Sequence, residues 1–147
     1  MKTFTAFAAA LSALLFAPVA AQAQTTVGLH LVSHHFPERP GQRNFNPGVY
    51  VRTADGWTAG YYRNTLGRNS VYAGYTLEHS FTSYLSVGVT AGAVTGYRLN
   101  DDGYGVTKSA LTPMLAPSIK VGPARLSFIP GIGVSASVVH LSVETTL

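Results

Sequence analysis

After the first 23 residues, the sequence consists of short runs in which apolar and polar residues alternate, separated by residues that favour turns. Alternation with a period of two is typical of β-strands whose two faces meet different surroundings. The clearest run covers residues 84–95, where Leu85, Val87 and Val89 alternate with Ser86, Gly88 and Thr90. No stretch of this region approaches the ~20 consecutive apolar residues that a membrane-spanning helix needs. The sequence therefore predicts an all-β protein.

Eight such runs are present. The predicted strands cover residues 25–34, 48–53, 58–64, 70–78, 84–95, 109–120, 125–129 and 134–145. The second, fourth and sixth connections are short, whereas the first, third and fifth are mostly longer. Short periplasmic turns and longer outer loops are typical of bacterial outer-membrane barrels. We therefore expect an eight-stranded antiparallel transmembrane β-barrel in the bacterial outer membrane.

The first 23 residues read as a cleaved signal peptide. Lys2 gives a positive start, an apolar stretch follows, and Ala21-Gln22-Ala23 provides small residues for cleavage. This divides the chain into a signal peptide at 1–23 and a barrel domain at 24–147. Charged residues make up only 11% of the chain, against about 25% in soluble domains. That composition suits a closed barrel, whose strands satisfy each other's backbone groups within lipid.

Several classes of function are disfavoured by composition. The chain has no Cys, so disulfides and thiolate metal sites do not arise. The net charge is +4, without a Lys/Arg cluster that would indicate nucleic-acid binding. His30, His34 and His35 raise the question of a metal site, but a regular strand would hold His30 and His34 roughly 13 Å apart. We expect no metal and no cofactor.

The candidate chemistry lies where two strands leave the membrane on the outer side. His34 and His35 follow the first strand, and Asn64 and Thr65 follow the third. A His beside a hydroxyl, oriented by an amide or carboxylate, is the general arrangement for acyl transfer. The alternative is that these side chains simply face water or lipid head groups at the rim.

Prolines in the predicted sixth strand allow two interpretations. Pro113 and Pro117 have no N–H to give to a ladder of hydrogen bonds. Either the ladder is interrupted there, which would give a side entrance from the lipid, or the strand is misplaced.

Four segments resemble a known family, in order and with matching spacing. They are residues 62–75 (Tyr-Arg-Asn-Thr-Leu-Gly-Arg-Asn-Ser-Val-Tyr-Ala-Gly-Tyr), 85–95 (Leu-Ser-Val-Gly-Val-Thr-Ala-Gly-Ala-Val-Thr), 113–117 (Pro-Met-Leu-Ala-Pro) and 128–131 (Phe-Ile-Pro-Gly). The first is similar to the second outer loop and following strand of the lipid A palmitoyltransferases of the PagP type. The others are similar to a Gly-rich strand and to proline-bearing strands of that family.

The resemblance implies an eight-stranded barrel that holds one acyl chain and moves it from a phospholipid to lipid A without a cofactor. The family's prolines mark a sideways opening for lipid. Its functional residues are a His at the first outer loop and an Asp-Ser pair at the second. Here Asn64 and Thr65 occupy the positions of that pair, and the His is His34 or His35, with His30 expected at mid-membrane.

A second, weaker resemblance concerns the last predicted strand. His140, Ser142 and Glu144 share one face of it, and a His-x-Ser pair resembles that of the outer-membrane lipid A deacylases. Neighbours on one face are about 7 Å apart, which favours ordinary residues of the barrel wall.

The leading hypothesis is a monomeric outer-membrane acyltransferase-like barrel whose partners are phospholipid and lipid A. In it, His35 or His34 is the base, Thr65 the hydroxyl partner and Asn64 the orienting group. One alternative is a non-catalytic small outer-membrane barrel that binds lipid or a surface partner. Another is a soluble periplasmic barrel with a ligand cavity.

Overall fold

Eight antiparallel strands close into a barrel in the computed structural model, which describes residues 24–97, 110–131 and 136–147. The strands are β1 (Thr26–Phe36), β2 (Phe45–Arg52), β3 (Trp57–Arg63), β4 (Asn69–Ser80), β5 (Leu85–Tyr97), β6 (Ala110–Val121), β7 (Ala124–Ile129) and β8 (Ser137–Thr146). Each strand pairs with the next, and β8 pairs with β1. The predicted fold class is confirmed.

All eight predicted strands occur, and each of their ends lies within three residues of the predicted position. The connections β2–β3, β4–β5 and β6–β7 are short, and the β1–β2 connection is longer, as predicted. The predicted signal peptide and most of the fifth connection lie outside the described residues. We call the two ends of the barrel the short-turn end and the long-loop end.

The outer wall of the barrel is apolar. Large hydrophobic side chains that point outward are exposed along the strands, among them Leu29, Val49, Trp57, Tyr75, Leu115 and Phe128. An exposed apolar surface of this extent is unfavourable in water and is the surface that lipid requires. No helix long and apolar enough to cross a membrane is present in the described parts of the chain.

Polar and aromatic side chains fill the interior. Tyr50, Tyr72 and Val94 form a small buried cluster across β2, β4 and β5. Gly60 points inward under the Tyr72 ring, where any Cβ would collide with it. The glycine therefore makes room for a large ring inside a narrow barrel.

A β-bulge interrupts β1. The register of both its ladders shifts between His30 and Val32, and Leu31 has no partner in either neighbour; relative to β8 it is one extra residue. Since side chains alternate between the two faces, one extra residue exchanges inward and outward positions beyond it. As a result His30, Ser33 and His35 all face the interior, and His34 faces outward.

The ladder between β6 and β7 covers only the short-turn half of the barrel. Pairing runs from Val121–Ala124 to Ser118–Ser127 and ends before Pro117. Along the rest of β6, pairing with β5 continues past Pro117 and Pro113. The prolines thus belong to the strand, and the ladder is interrupted on the β7 side, which was one of the two predicted alternatives.

Candidate functional site

Three side chains form a hydrogen-bonded chain at the long-loop end. His35 Nε2 lies 2.8 Å from Thr65 Oγ1, and His35 Nδ1 lies 3.1 Å from Asn44 Oδ1. His35 and Thr65 are buried, with exposed fractions of 2% and 8%. The arrangement therefore has the order hydroxyl, imidazole, amide.

The amide oxygen fixes which nitrogen of His35 carries the proton. Asn44 Oδ1 only accepts hydrogen bonds, so Nδ1–H must be the donor in this pair. Nε2 of a neutral imidazole then has a free lone pair, and the Thr65 hydroxyl donates to it. A neutral His that accepts from a hydroxyl is arranged to act as a general base.

Backbone hydrogen bonds hold the three residues together. Ser33 N–H donates to Asn44 O at 2.7 Å, which places Asn44 alongside β1. Arg43 N–H donates to Thr65 O at 2.9 Å and joins the β1–β2 and β3–β4 connections. The site thus lies between two connections that are tied to each other.

Asn64 contributes to the site indirectly. Its side chain is fully buried, donates to Ser70 Oγ (2.9 Å) and Gly96 O (3.1 Å), and accepts from the backbone N–H groups of Leu66 and Arg68 (both 3.0 Å). Gly67, with a φ of 72°, closes the turn between them. Asn64 therefore shapes the loop that carries Thr65, and the contact to His35 that was predicted for it is made by Asn44.

The other histidines have different surroundings. His34 faces outward, lies 3.2 Å from Glu38 and packs on Phe36. His30 lies in the interior, where Nδ1 is 2.9 Å from His140 Nε2 and Nε2 is 3.1 Å from Tyr72 Oη. The bulge puts His34 on the face opposite His30, and ordinary alternation puts it on the face opposite His35, so the three histidines of β1 do not converge on one point.

His140, Ser142 and Glu144 all face the interior and are buried, but they do not form one catalytic group. His140 pairs with His30. Glu144 accepts hydrogen bonds from Tyr50, Arg52 and Arg125. These contacts agree with the interpretation of the three residues as part of the barrel wall.

A cavity of about 370 Å³ runs inward from the site. His35 and Thr65 lie on its wall, and many of its remaining wall residues are apolar: Leu66, Val94, Met114, Ile129, Pro130 and Val138. Pro113 and Leu115 also line it, although both have the outward parity of β6 and are exposed. The cavity therefore reaches the part of β6 that has no ladder to β7.

An ion cluster closes the interior toward the short-turn end. Glu144 lies 3.1 Å from Arg52, 2.9 Å from Arg125 and 3.4 Å from Lys120. Glu78 pairs with Arg52 and Arg125. Arg52 and Arg125 also line the cavity, so the cavity ends on this cluster.

Asn44 is the residue of this site that the sequence did not predict. It lies in the irregular β1–β2 connection. The length of this connection does not determine which of its side chains contacts the barrel interior. No motif in the sequence singles it out.

Comparisons with known proteins bear on the fold. No protein-family model and no curated protein matches the sequence. Among solved structures, the N-terminal β-barrel domain of Pseudomonas aeruginosa OprF is similar, with a TM-score of 0.54 and 13% sequence identity. The alignment covers 86% of this chain and 98% of that one. The likeness shows an outer-membrane-type eight-stranded barrel fold and supports the predicted location, while the resemblance to the palmitoyltransferases stays a prediction.

Proposed function

We propose that this protein is an acyltransferase-like barrel of the bacterial outer membrane that moves an acyl chain from a phospholipid to lipid A. The observation that carries the proposal is the Thr65–His35–Asn44 chain of hydrogen bonds on the wall of a cavity that reaches the unpaired part of β6. The resemblance to the palmitoyltransferases supports the choice of substrates. His35, rather than His34, is the base, and Asn44 takes the orienting role expected of Asn64.

In the first half of the reaction, Thr65 Oγ1 gives its proton to His35 Nε2 and attacks the carbonyl carbon of a phospholipid ester. The bond from that carbon to the glycerol oxygen breaks, and the imidazolium returns the proton to this oxygen. A lysophospholipid leaves, and the acyl chain stays as an ester of Thr65. The Asn44 oxygen keeps the imidazole oriented and accepts from Nδ1–H throughout.

In the second half, a lipid A hydroxyl gives its proton to His35 Nε2 and attacks the ester of Thr65. The bond to the Thr65 oxygen breaks, and that oxygen takes the proton back from the imidazolium. Atoms and charges balance without a cofactor. Both reactants carry acyl chains in the membrane, and the interruption between β6 and β7 provides their route to the cavity.

The experiment is mass spectrometry of lipid A from cells that produce the wild type or a variant. With the wild type, lipid A gains the mass of one acyl chain. His35→Ala reduces the rate at which acylated lipid A forms by about 10²–10⁴-fold, the usual contribution of a general base, and Thr65→Val, which lacks the attacking oxygen, abolishes it. His34→Ala is the matched control, because this neighbouring residue faces outward, and it retains the gain.

Folding of each variant is checked by heat-modifiable mobility on gels. An unchanged lipid A spectrum from cells whose wild-type barrel is folded would overturn the proposal. Equal losses from His34→Ala and His35→Ala would also contradict it, because only one of these side chains contacts Thr65.

The second candidate is a non-catalytic barrel that binds lipid or a surface partner. One observation favours it: Asn64, at the position of the family's carboxylate, is fully used in its loop. A folded wild type that leaves lipid A unchanged would support this candidate.

A further inference from the structure

Three arginines lie around the loop that carries Thr65. Arg63 ends β3, opposite Asn69 at the start of β4. Arg68 lies within the loop, and Arg43 reaches across from the β1–β2 connection so that its guanidinium packs on Gly67. All three are exposed. We call these three residues the arginine cluster.

The positive charge of the arginine cluster is not compensated within the described residues. The carboxylates there are Glu38, Asp55, Glu78 and Glu144. Glu78 and Glu144 belong to the ion cluster inside the barrel, and Asp55 lies in a short turn at the opposite end. Glu38 is paired with His34. Three guanidinium groups around one loop, with no carboxylate partner among the described residues, favour an anionic ligand.

The position of the arginine cluster selects a ligand that is part of the membrane. Tyr61 and Val71 belong to the exposed apolar wall and lie directly below Arg63 on β3 and β4. The cluster therefore lies where the apolar wall ends, at the level of lipid head groups. A guanidinium binds phosphate through two parallel N–H donors, which makes arginine well suited to this ligand.

The loop is rigid enough to hold the arginines in place. Asn64 fixes it through four side-chain hydrogen bonds, and Arg43 N–H is bonded to Thr65 O. Each arginine thus lies within a few residues of Thr65 in sequence or is bonded to it directly. A ligand held by these arginines is bound at the loop that carries Thr65.

We propose that Arg43, Arg63 and Arg68 bind the phosphate groups of lipid A and so hold it beside Thr65. The inference rests on the proposed function where it makes lipid A the acyl acceptor. The binding itself does not depend on turnover, and it is measured with no acyl donor present. Failure of acyl transfer therefore leaves this proposal standing, and failure of binding leaves the chemistry of His35 and Thr65 standing.

The test uses the full chain folded in zwitterionic detergent micelles and the anisotropy of fluorescent lipid A. Wild type binds phosphorylated lipid A at least about tenfold more tightly than dephosphorylated lipid A, since a charge-assisted hydrogen bond is lost with the phosphate. R43Q/R63Q/R68Q loses this preference. R43K/R63K/R68K is the matched control, and it retains part of the preference because it keeps the charge.

Arg68→Gln alone, an exposed loop substitution, weakens binding of phosphorylated lipid A and provides the test if the triple variant does not fold. Equal affinity of the wild type for phosphorylated and dephosphorylated lipid A would overturn the proposal. So would an unchanged preference in a folded triple glutamine variant, or phosphatidylglycerol bound as tightly as lipid A.

Discussion

Asn64 is a buried amide in which both ends of the side chain have partners. Its nitrogen donates to Ser70 and Gly96, and its oxygen accepts from two backbone N–H groups of its own loop. The side chain therefore makes hydrogen bonds to backbone groups of this turn that water or a neighbouring strand would otherwise make. Thr65 is the next residue along the chain, so the position of its hydroxyl depends on this amide.

Asn64→Ala is expected to lower the free energy of unfolding by about 2–4 kcal/mol, because several buried hydrogen bonds lose one partner. Asn64→Asp is also destabilising and does not raise activity, since a carboxylate cannot donate to Gly96 O. Urea titrations of the barrel in lipid vesicles provide the measurement. Asn69→Ala, an exposed substitution at the start of β4, is the control and changes stability by less than about 0.5 kcal/mol. Full stability of Asn64→Ala would show that these bonds are not maintained in solution.

Asn44 is the opposite case, because its side chain acts on His35. Asn44→Ala removes the acceptor for Nδ1–H, so the imidazole is no longer held in one orientation, and we expect transfer to slow by roughly 10²-fold. Asn44→Asp keeps the acceptor and retains activity. Initial rates with purified lipid A measure both effects, and Pro40→Ala, an exposed substitution in the same connection away from the cavity wall, is the control. If Asn44→Ala transferred acyl chains at the wild-type rate, the orienting role of Asn44 would be wrong.

Among the elements of the barrel, β1 shows best how far sequence reasoning reaches. Its existence and extent follow from alternation of residue types, but the bulge at Leu31 leaves no mark in that pattern. A regular strand would put His30 and His34 on one face. The extra residue instead brings His35 inward, so the choice between His34 and His35 required the ladder of hydrogen bonds. The role of Asn44 was not predicted for a related reason. Which side chain of an irregular connection contacts the barrel depends on tertiary contacts.

The incomplete ladder between β6 and β7 gives a prediction at the level of elements. A disulfide between P117C and F128C, just beyond the last paired residues, holds the two strands together and lowers acyl transfer. A reductant restores the activity. The matched pair I119C/L126C lies within the existing ladder, so its disulfide leaves the opening and the activity unchanged.

The chain has no cysteine of its own, so these engineered pairs have no competing thiols. The measurement is transfer by purified protein, oxidised and then reduced, with disulfide formation followed by gel mobility. Equal activity of oxidised P117C/F128C and its reduced form would rule out this opening as the route for lipid.

At the scale of the whole molecule, the ion cluster closes the interior of the barrel at the short-turn end. Glu144 faces three cations, and Glu144→Gln leaves Arg52 and Arg125 with Glu78 alone and removes the ion pair of Lys120. We expect a loss of about 3–5 kcal/mol in the free energy of unfolding, because charges remain buried without a partner. The fluorescence of Trp57, the single Trp, which lies on the exposed outer wall, follows unfolding in urea.

Glu38→Gln is the control for that experiment, because Glu38 forms an exposed pair with His34 and such pairs contribute under about 1 kcal/mol. Similar unfolding curves for Glu144→Gln and the wild type would show that the cluster is not a stabilising unit.

The number of strands and the apolar outer wall were predictable from alternation and composition. The cluster was not, because it joins five residues from five strands whose heights in the barrel depend on register.

The closed short-turn end also limits how lipids can enter and leave the protein. Because the cavity has a floor, it has no exit toward the short-turn end, so the donor, the shortened lipid that it becomes and the acceptor all enter and leave through the long-loop half of the barrel. Each lipid must then enter and leave the cavity in turn, because a product that is still bound prevents the next lipid from binding. Under the proposed function, such a barrel acts on one leaflet at a time and makes no passage between the two sides of the membrane.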